Sequence, residues 1–172
     1  MSTANAESDS QPQEAPRILL LEDSPAEGEL FCQALVYAWQ RQAPKPVAAR
    51  PTIELRHTAH GAIETLKGHI ELKPSNLPDL IVLDFDLPAG GSLTFLRALQ
   101  QDVRLAKLPV ILMAWANDES IVRSLRAFGV AGYVVKPVLF EDLIILAEDI
   151  CRHVLLDTSH QEFSQLDRRQ HA

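Results

Sequence analysis

The sequence is short of cysteine and of positive charge, and each shortage removes a class of protein. Two of its 172 residues are cysteine. Cys32 and Cys151 lie far apart in apolar patterns of helical spacing and form no CxxC pair, so we expect buried, reduced thiols rather than a disulfide framework or a metal site. Lys and Arg number 16 against 23 Asp and Glu, a net charge of -7. This balance argues against a protein that binds nucleic acid or an anionic membrane through basic side chains.

Long hydrophobic runs and a targeting segment are also missing. No apolar run approaches the roughly 18 residues of a membrane span, and residues 1–16 are polar and acidic, unlike a signal peptide. Neither GxGxxG nor GxxxxGK followed by Ser or Thr occurs, which excludes the two commonest nucleotide-binding loops. We therefore expect a cytoplasmic protein that binds neither membranes nor nucleic acid.

The composition, 47% hydrophobic and 23% charged, is typical of one globular domain. Residues 1–15 are rich in Ser, Gln, Glu, Asn and Ala, which predicts a disordered leader. Residues 16–155 form the predicted domain. Residues 156–172 are a polar tail in which Phe163 and Leu166 permit a short helix.

Short apolar runs alternate with helical patterns along the predicted domain. Most of the runs are apolar throughout, as in strands buried on both faces. The five predicted strands are Ile18–Leu21, a weaker one at Thr52–Thr58, Asp79–Asp84, Pro109–Met113 and Gly132–Val135. A helix follows each strand, the first starting at a capping box formed by Ser24 and Glu27 and the fourth at Asn117. Five successive βα units predict an α/β protein with a parallel sheet covered by helices on both sides.

Charged side chains follow three of these strands. Glu22 and Asp23 follow the first, Asp84 ends the third and Lys136 follows the fifth. We expect these side chains to converge, because ligands of such folds bind beyond the carboxyl ends of the strands. Three neighbouring carboxylates repel one another, and Mg²⁺ is the hard cation that best neutralises them. A carboxylate beside Mg²⁺ and the Lys136 ammonium could attack phosphorus and form an acyl phosphate.

Each of these residues also has a plain structural interpretation. Asp23 could serve only as a helix cap, and Lys136 could be a solvated loop residue. An interpretation by caps alone gives no reason for the acidic pair, the single acid and the lysine to fall on strands one, three and five.

These segments resemble the receiver domain of two-component response regulators. The matching segments are residues 21–24 (LEDS), 78–84 (PDLIVLD) with Leu87 and Pro88 beyond them, 108–113 (LPVILM) and 132–137 (GYVVKP). The resemblance covers residues 16–155. It implies a flavodoxin-like (βα)5 fold, which is a doubly wound parallel sheet with the strand order 2-1-3-4-5.

The resemblance also implies roles for the charged residues. By it, Asp84 accepts a phosphoryl group and Lys136 pairs with that group. Glu22, Asp23 and Asp84 bind Mg²⁺, to which Asp86 contributes its backbone carbonyl. The implied partner is a sensor histidine kinase.

Strand four departs from the pattern of the family. The family places Ser or Thr at its end, where the hydroxyl couples phosphorylation to loop movement, but this chain has Ala114 followed by the bulky Trp115. Loss of a hydrogen bond to a charged group, worth roughly 1.5–3 kcal/mol, could remove most of a coupling of about 1–3 kcal/mol. Trp115 could fill space or replace the missing coupling element. Tyr133 matches the aromatic residue that changes rotamer in the family, and Asp86 and Ala116 occupy positions that tune hydrolysis.

The approach to strand four at residues 105–109, the long loops and the tail resemble single-domain regulators encoded beside phytochrome histidine kinases. Within that subgroup the kinase would be a bacteriophytochrome. Strand five and the last helix could form the face of a homodimer. The roughly 17 residues after the last helix are too few for a helix-turn-helix domain, so we expect output through protein contacts.

Three functions stay open at this point. The first is a non-enzymatic switch that a kinase phosphorylates on Asp84. The second is a docking or dimerisation module that no longer depends on phosphate, an interpretation favoured by Ala114. The third is a phosphatase of the haloacid dehalogenase type, with Asp84 as nucleophile and Asp86 as general acid. The acidic pair before the nucleophile and Pro88 after it argue against this phosphatase.

Overall fold

The computed structural model describes residues 16–42, 50–115 and 127–155. The predicted leader, the predicted tail, Ala116 and the predicted helix that starts at Asn117 lie outside the described residues.

The described residues contain five strands and four α-helices. They are β1 (Arg17–Leu21), α1 (Pro25–Gln42), β2 (Thr52–Arg56), α2 (Ala59–Leu72), β3 (Leu80–Asp84), α3 (Gly91–Gln100), β4 (Val110–Ala114), β5 (Gly132–Val135) and α4 (Phe140–Leu155). Each predicted strand is present. β2 ends two residues before the predicted end, and β4 is displaced by one residue, so that Ala114 is its last member.

The strands form one parallel sheet in the order β2-β1-β3-β4-β5. This arrangement confirms the flavodoxin-like, doubly wound fold that the resemblance implies. β1 lies between β2 and β3, so its end stands next to the ends of both. The chain reverses its direction across the sheet between β1 and β3, which is where ligands bind in folds of this type.

Alternate residues of the central strands enter two separate cores, because successive side chains of a strand point to opposite faces. On one face α1 and α4 pack against each other and against Ile18, Leu20 and Val82. On the other face α2 and α3 pack against residues such as Leu19 and Leu83. Burial on both faces explains why these strands are apolar throughout.

The two cysteines are free thiols in the α1 and α4 layer, as the sequence predicts. Cys151 is buried and Cys32 is half-buried. Burial raises the pKa of Cys151 to about 12 and that of Cys32 to about 11, so both stay protonated at neutral pH.

Among the described residues, none of the helices combines the length and the hydrophobicity that a membrane span requires.

Candidate functional site

The charged residues that follow the strands meet at the carboxyl edge of the sheet. Glu22 and Asp23 come from β1 and Asp84 from β3, and each offers a carboxylate oxygen within 4.8 Å of the others. Glu22 and Asp84 are buried, whereas Asp23 is exposed. The predicted convergence of these three acids is therefore present in the structure.

The ammonium of Lys136, which follows β5, lies among carboxylates. Its Nζ atom is 2.8 Å from Oε2 of Glu22, 2.9 Å from Oδ2 of Asp84 and 3.2 Å from Oε2 of Glu27. The side chain is only 7% exposed. Lys136 is thus an integral part of the site and is not a solvated loop residue.

Burial and hydrogen bonding shift the pKa values of Glu22 and Lys136 in opposite directions. Burial raises the pKa of Glu22 above its usual value, and the hydrogen bonds from Lys136 and from the Ser24 amide only partly oppose this rise. Burial lowers the pKa of Lys136, but the hydrogen bonds to Glu22 and Asp84 outweigh it and leave the pKa raised. Lys136 is consequently protonated at neutral pH, since the carboxylates of Glu22 and Asp84 stabilise its charged form.

The start of α1 corrects one prediction from the sequence. Ser24 caps the helix as expected, because its Oγ accepts a hydrogen bond from the Glu27 amide at 3.3 Å. The reciprocal half of the capping box is absent, since the Ser24 amide donates to Oε1 of Glu22 at 3.1 Å. The carboxylate of Glu27 bonds instead to Lys136. The site therefore includes a fourth acid that sequence reasoning assigned to helix capping.

The carbonyl oxygen of Glu22 is held by a histidine side chain. Nδ1 of His57, directly after β2, lies 2.8 Å from the carbonyl oxygen of Glu22. A carbonyl oxygen can only accept, so Nδ1 of His57 carries the proton in this contact. Both His57 and Glu22 are thereby held at the edge of the sheet, and His57 is a positioning contact rather than a member of the acidic cluster.

Two different loops hold the carboxylate oxygens of Asp84, the loop after β3 and the loop after β5. Oδ1 accepts a hydrogen bond from the Asp86 amide at 3.0 Å, while Oδ2 contacts Lys136. The buried hydroxyl of Ser92 lies 3.0 Å from the carbonyl oxygen of Asp84 and also contacts that of Phe85. Ser92 stands at the start of α3, and nothing in its sequence context indicated this contact. It ties the start of α3 to the end of β3, which carries Asp84.

β4 brings no hydroxyl group to the site. Ala114 is buried, and its carbonyl oxygen accepts a hydrogen bond from the Lys136 amide at 2.8 Å. Trp115, which is 52% exposed, places its ring 5.2 Å from Nζ of Lys136. Its amide donates to Oδ2 of Asp86 at 3.2 Å. Tyr133 of β5 is half-buried against the core on the side of α2 and α3.

The donor set suits a hard divalent cation. Carboxylate oxygens are the ligands that Mg²⁺ takes from proteins, usually through one or two side chains with water in the remaining positions. Glu22, Asp23 and Asp84 supply such oxygens within a span of 4.8 Å. The exposed position of Asp23 leaves room for water on the solvent side. The residues present therefore fit Mg²⁺.

Comparisons with known proteins identify the family. The family model of the response regulator receiver domain matches residues 48–148, which is more than half of the chain. The phosphate regulon transcriptional regulatory protein PhoB of Klebsiella pneumoniae is 27% identical over 141 residues, covering 81% of this chain and 53% of PhoB. The chain thus spans about half the length of PhoB.

Solved structures show the same fold. The phosphorylated cyanobacterial phytochrome response regulator RcpA has a TM-score of 0.69 and 23% identity, over 84% of this chain and 97% of RcpA. The Mn²⁺-bound form of response regulator Rcp1 has a TM-score of 0.64, also with 23% identity and the same coverage of both chains. These structures share the fold, and the family match establishes that this chain belongs to the response regulator receiver domain family.

Proposed function

We propose that this protein is a phosphorylatable signalling switch in which Asp84 accepts a phosphoryl group from a sensor histidine kinase. The observation that carries the proposal is the set of charged and polar groups around Asp84. Its two carboxylate oxygens contact the Lys136 ammonium and the Asp86 amide, and the acids Glu22 and Asp23 lie beside it. The proposed receiver domain comprises residues 16–155.

The chemistry that this arrangement supports is phosphoryl transfer. A carboxylate oxygen of Asp84 forms a bond to phosphorus, the bond from phosphorus to a nitrogen of the donor histidine breaks, and the freed imidazole keeps that electron pair. Lys136 offers a fixed positive charge next to the oxygen atoms of the incoming group. Glu22, Asp23 and Asp84 would hold Mg²⁺, which would supply positive charge next to the phosphoryl oxygens. The other ligand in this proposal is the backbone carbonyl of Asp86.

Burial supports a role for Asp84 as acceptor. Its side chain is 2% exposed, and charge interactions are stronger in such surroundings than in water. A phosphoryl group adds a charge of about -1.5 to -2 at this position. That change is large enough to alter the contacts of Lys136 and, through them, the protein surface.

The proposed partners follow from the family and its neighbours. Receiver domains pair with sensor histidine kinases, and the structural neighbour RcpA is described as a cyanobacterial phytochrome response regulator. We propose a kinase of the bacteriophytochrome type, a single-domain regulator without catalytic turnover, and output through protein contacts that include a homodimer. A cytoplasmic location is part of the same proposal.

A second candidate function rests on Ala114. Because β4 ends in a methyl group, no side-chain hydroxyl of this residue can bond a phosphoryl group on Asp84. The domain would then act as a docking module whose output does not depend on phosphate. The Asp86 carboxylate accepts a hydrogen bond from the Trp115 amide. This contact does not favour the remaining hypothesis, a phosphatase with Asp86 as general acid.

Intact mass spectrometry after incubation with Mg²⁺ and acetyl phosphate tests the proposal. The wild type should gain one phosphoryl group, and Asp84→Asn should gain none. Asp142→Asn is the matched control, because it removes an acid of the same type from the exposed first turn of α4. The control should gain the group at the rate of the wild type.

Three outcomes decide between the candidate functions. An adduct that requires both Mg²⁺ and Asp84 supports the phosphorylated switch. A folded wild type that gains no adduct, sampled from seconds to hours, overturns it in favour of the docking module. Continuous release of phosphate from a generic ester, abolished by Asp84→Asn, would instead indicate an enzyme.

A further inference from the structure

Trp115 is connected to both carboxylate oxygens of Asp84. One connection passes through Lys136, whose Nζ atom is 2.9 Å from Oδ2 of Asp84 and 5.2 Å from the Trp115 ring centre. The other passes through Asp86, whose carboxylate accepts the Trp115 amide at 3.2 Å and whose amide donates to Oδ1 of Asp84 at 3.0 Å. The residue after Ala114 therefore contacts each group that holds the Asp84 carboxylate.

The ring contact has the geometry of a cation-π interaction. An ammonium within about 6 Å of an aromatic ring centre is attracted to the face of the ring, and tryptophan gives the strongest attraction. The Lys136 ammonium is almost completely shielded from water, whereas Trp115 is 52% exposed. The indole thus covers the charge on the side that faces solvent.

The other contacts of Lys136 explain why the contact with the Trp115 ring is important. Glu22 and Asp84 are also the acids that fit a divalent cation, so a bound cation competes with Lys136 for their oxygens. Glu27 and Trp115 stand outside that cluster of cation ligands, so a cation held there does not compete for their contacts with the ammonium. Glu27 is 49% exposed, so its attraction is weakened by solvent. The indole face is the remaining contact on the β4 side.

We propose that Trp115 is a positioning residue that holds the Lys136 ammonium beside Asp84, acting from the end of the strand that lacks a hydroxyl. This inference rests on the proposed phosphorylation of Asp84. It assigns to the Trp115 ring a task that space filling does not require, because only a π face and not an apolar volume attracts the ammonium.

The rate of adduct formation on Asp84 from acetyl phosphate tests this assignment. Trp115→Leu keeps an apolar side chain but removes the ring, and it should lower the rate roughly two- to fivefold. Trp115→Phe restores a ring and should recover most of the rate. Tyr37→Leu is the matched control, since Tyr37 is an exposed aromatic whose ring lies 5.6 Å from the Arg41 guanidinium in α1. The control should leave the rate unchanged.

A double variant separates positioning from packing. In a Lys136→Met background, adding Trp115→Leu should produce no further loss of rate, because the ammonium that the ring positions is already gone. A loss of the same size in both backgrounds overturns the proposal. Equal rates for Trp115→Leu and the wild type also overturn it.

Fluorescence tests the contact without phosphorylation, so its failure is distinguishable from failure of the proposed function. Trp39→Phe leaves Trp115 as the only tryptophan of the chain. In that background, Lys136→Met should change the Trp115 emission, whereas the control Arg41→Met should not. Identical spectra for all three proteins overturn the proposed contact, even where the adduct on Asp84 forms. An altered spectrum for Lys136→Met supports the contact, even where no adduct forms.

Discussion

At the scale of single residues, the balance of charge at the site depends on Lys136. Its ammonium lies within 3.2 Å of carboxylates from Glu22, Glu27 and Asp84. Two of these acids are buried, so their charges interact with little screening by solvent. Removal of the ammonium leaves the buried carboxylates uncompensated, which is strongly destabilising.

We predict that Lys136→Met lowers the free energy of unfolding by roughly 3–5 kcal/mol in buffer with EDTA. Methionine keeps an unbranched chain of similar length, so the loss reflects charge more than packing. Urea denaturation followed by circular dichroism measures the change. The effect should shrink when Mg²⁺ is added, since a cation bound by Glu22 and Asp84 replaces the missing positive charge.

The control for this variant is Lys107→Met. Lys107 is exposed in a short helical turn before β4, so its replacement should change stability by less than about 0.5 kcal/mol. If both variants lose the same free energy, or if Mg²⁺ does not reduce the loss of Lys136→Met, the buried ion pairs do not have the role assigned to them.

Residue-level prediction succeeded where a side chain directly follows a strand. The backbone alone places Asp84 and Lys136 at the sheet edge, and any parallel sheet brings such positions together. It failed for Glu27. The Ser24 amide can donate to either Glu27 or Glu22, and the sequence does not show that Glu22 is the acceptor. The contact between Trp115 and Lys136 depends on side-chain direction beyond a strand end, which no local pattern determines.

At the scale of elements, apolar runs predicted the strands and helical spacing predicted the described helices, whereas neither pattern predicted which strands lie side by side in the sheet. Strands such as β1 and β3 are recognisable because burial on both faces removes polar residues from them. The same property makes them interchangeable, so the order 2-1-3-4-5 came from the resemblance alone and was confirmed by the pairing. The exact end of β4 at Ala114 was also missed, since an alanine prolongs a strand without any hydrophobic signal.

Two glycines within helices allow a prediction about stability. A Cβ atom added at Gly68 of α2 meets nothing within 4 Å, whereas one added at Gly28 of α1 lies 2.8 Å from Cδ1 of Leu55. Alanine stabilises a helix by about 0.5–1 kcal/mol relative to glycine. Gly68→Ala should therefore stabilise the protein by that amount, and Gly28→Ala should stabilise it less because Leu55 must move. Urea denaturation of both variants measures the difference, and an equal gain would show that Leu55 yields without cost.

At the scale of the whole molecule, the excess of acids and the acidic site both favour binding of a cation. The chain carries a net charge of -7, and three of its acids are held within 4.8 Å of one another by the fold. Unfolding separates those acids and relieves their repulsion. We therefore expect a bound cation to stabilise the folded state.

We predict that Mg²⁺ stabilises the whole fold and that the effect requires Asp23. A ligand at 100 times its Kd that binds only the folded state adds about 2.7 kcal/mol to the free energy of unfolding. Each kcal/mol raises Tm by roughly 2–4 °C in a protein of this size. Thermal denaturation with EDTA and then with Mg²⁺ measures the shift. Asp23→Asn should abolish most of it, because it removes the exposed member of the acidic cluster without disturbing Lys136.

The control for the cation prediction is again Asp142→Asn, which changes the net charge as Asp23→Asn does but lies in α4. General screening of the negative charge would stabilise the wild type and both variants equally, because it depends on total charge and not on position. Binding at the site would leave the Mg²⁺ shift intact in Asp142→Asn and remove it in Asp23→Asn. Equal shifts in the two variants would contradict a cation site formed by Glu22, Asp23 and Asp84.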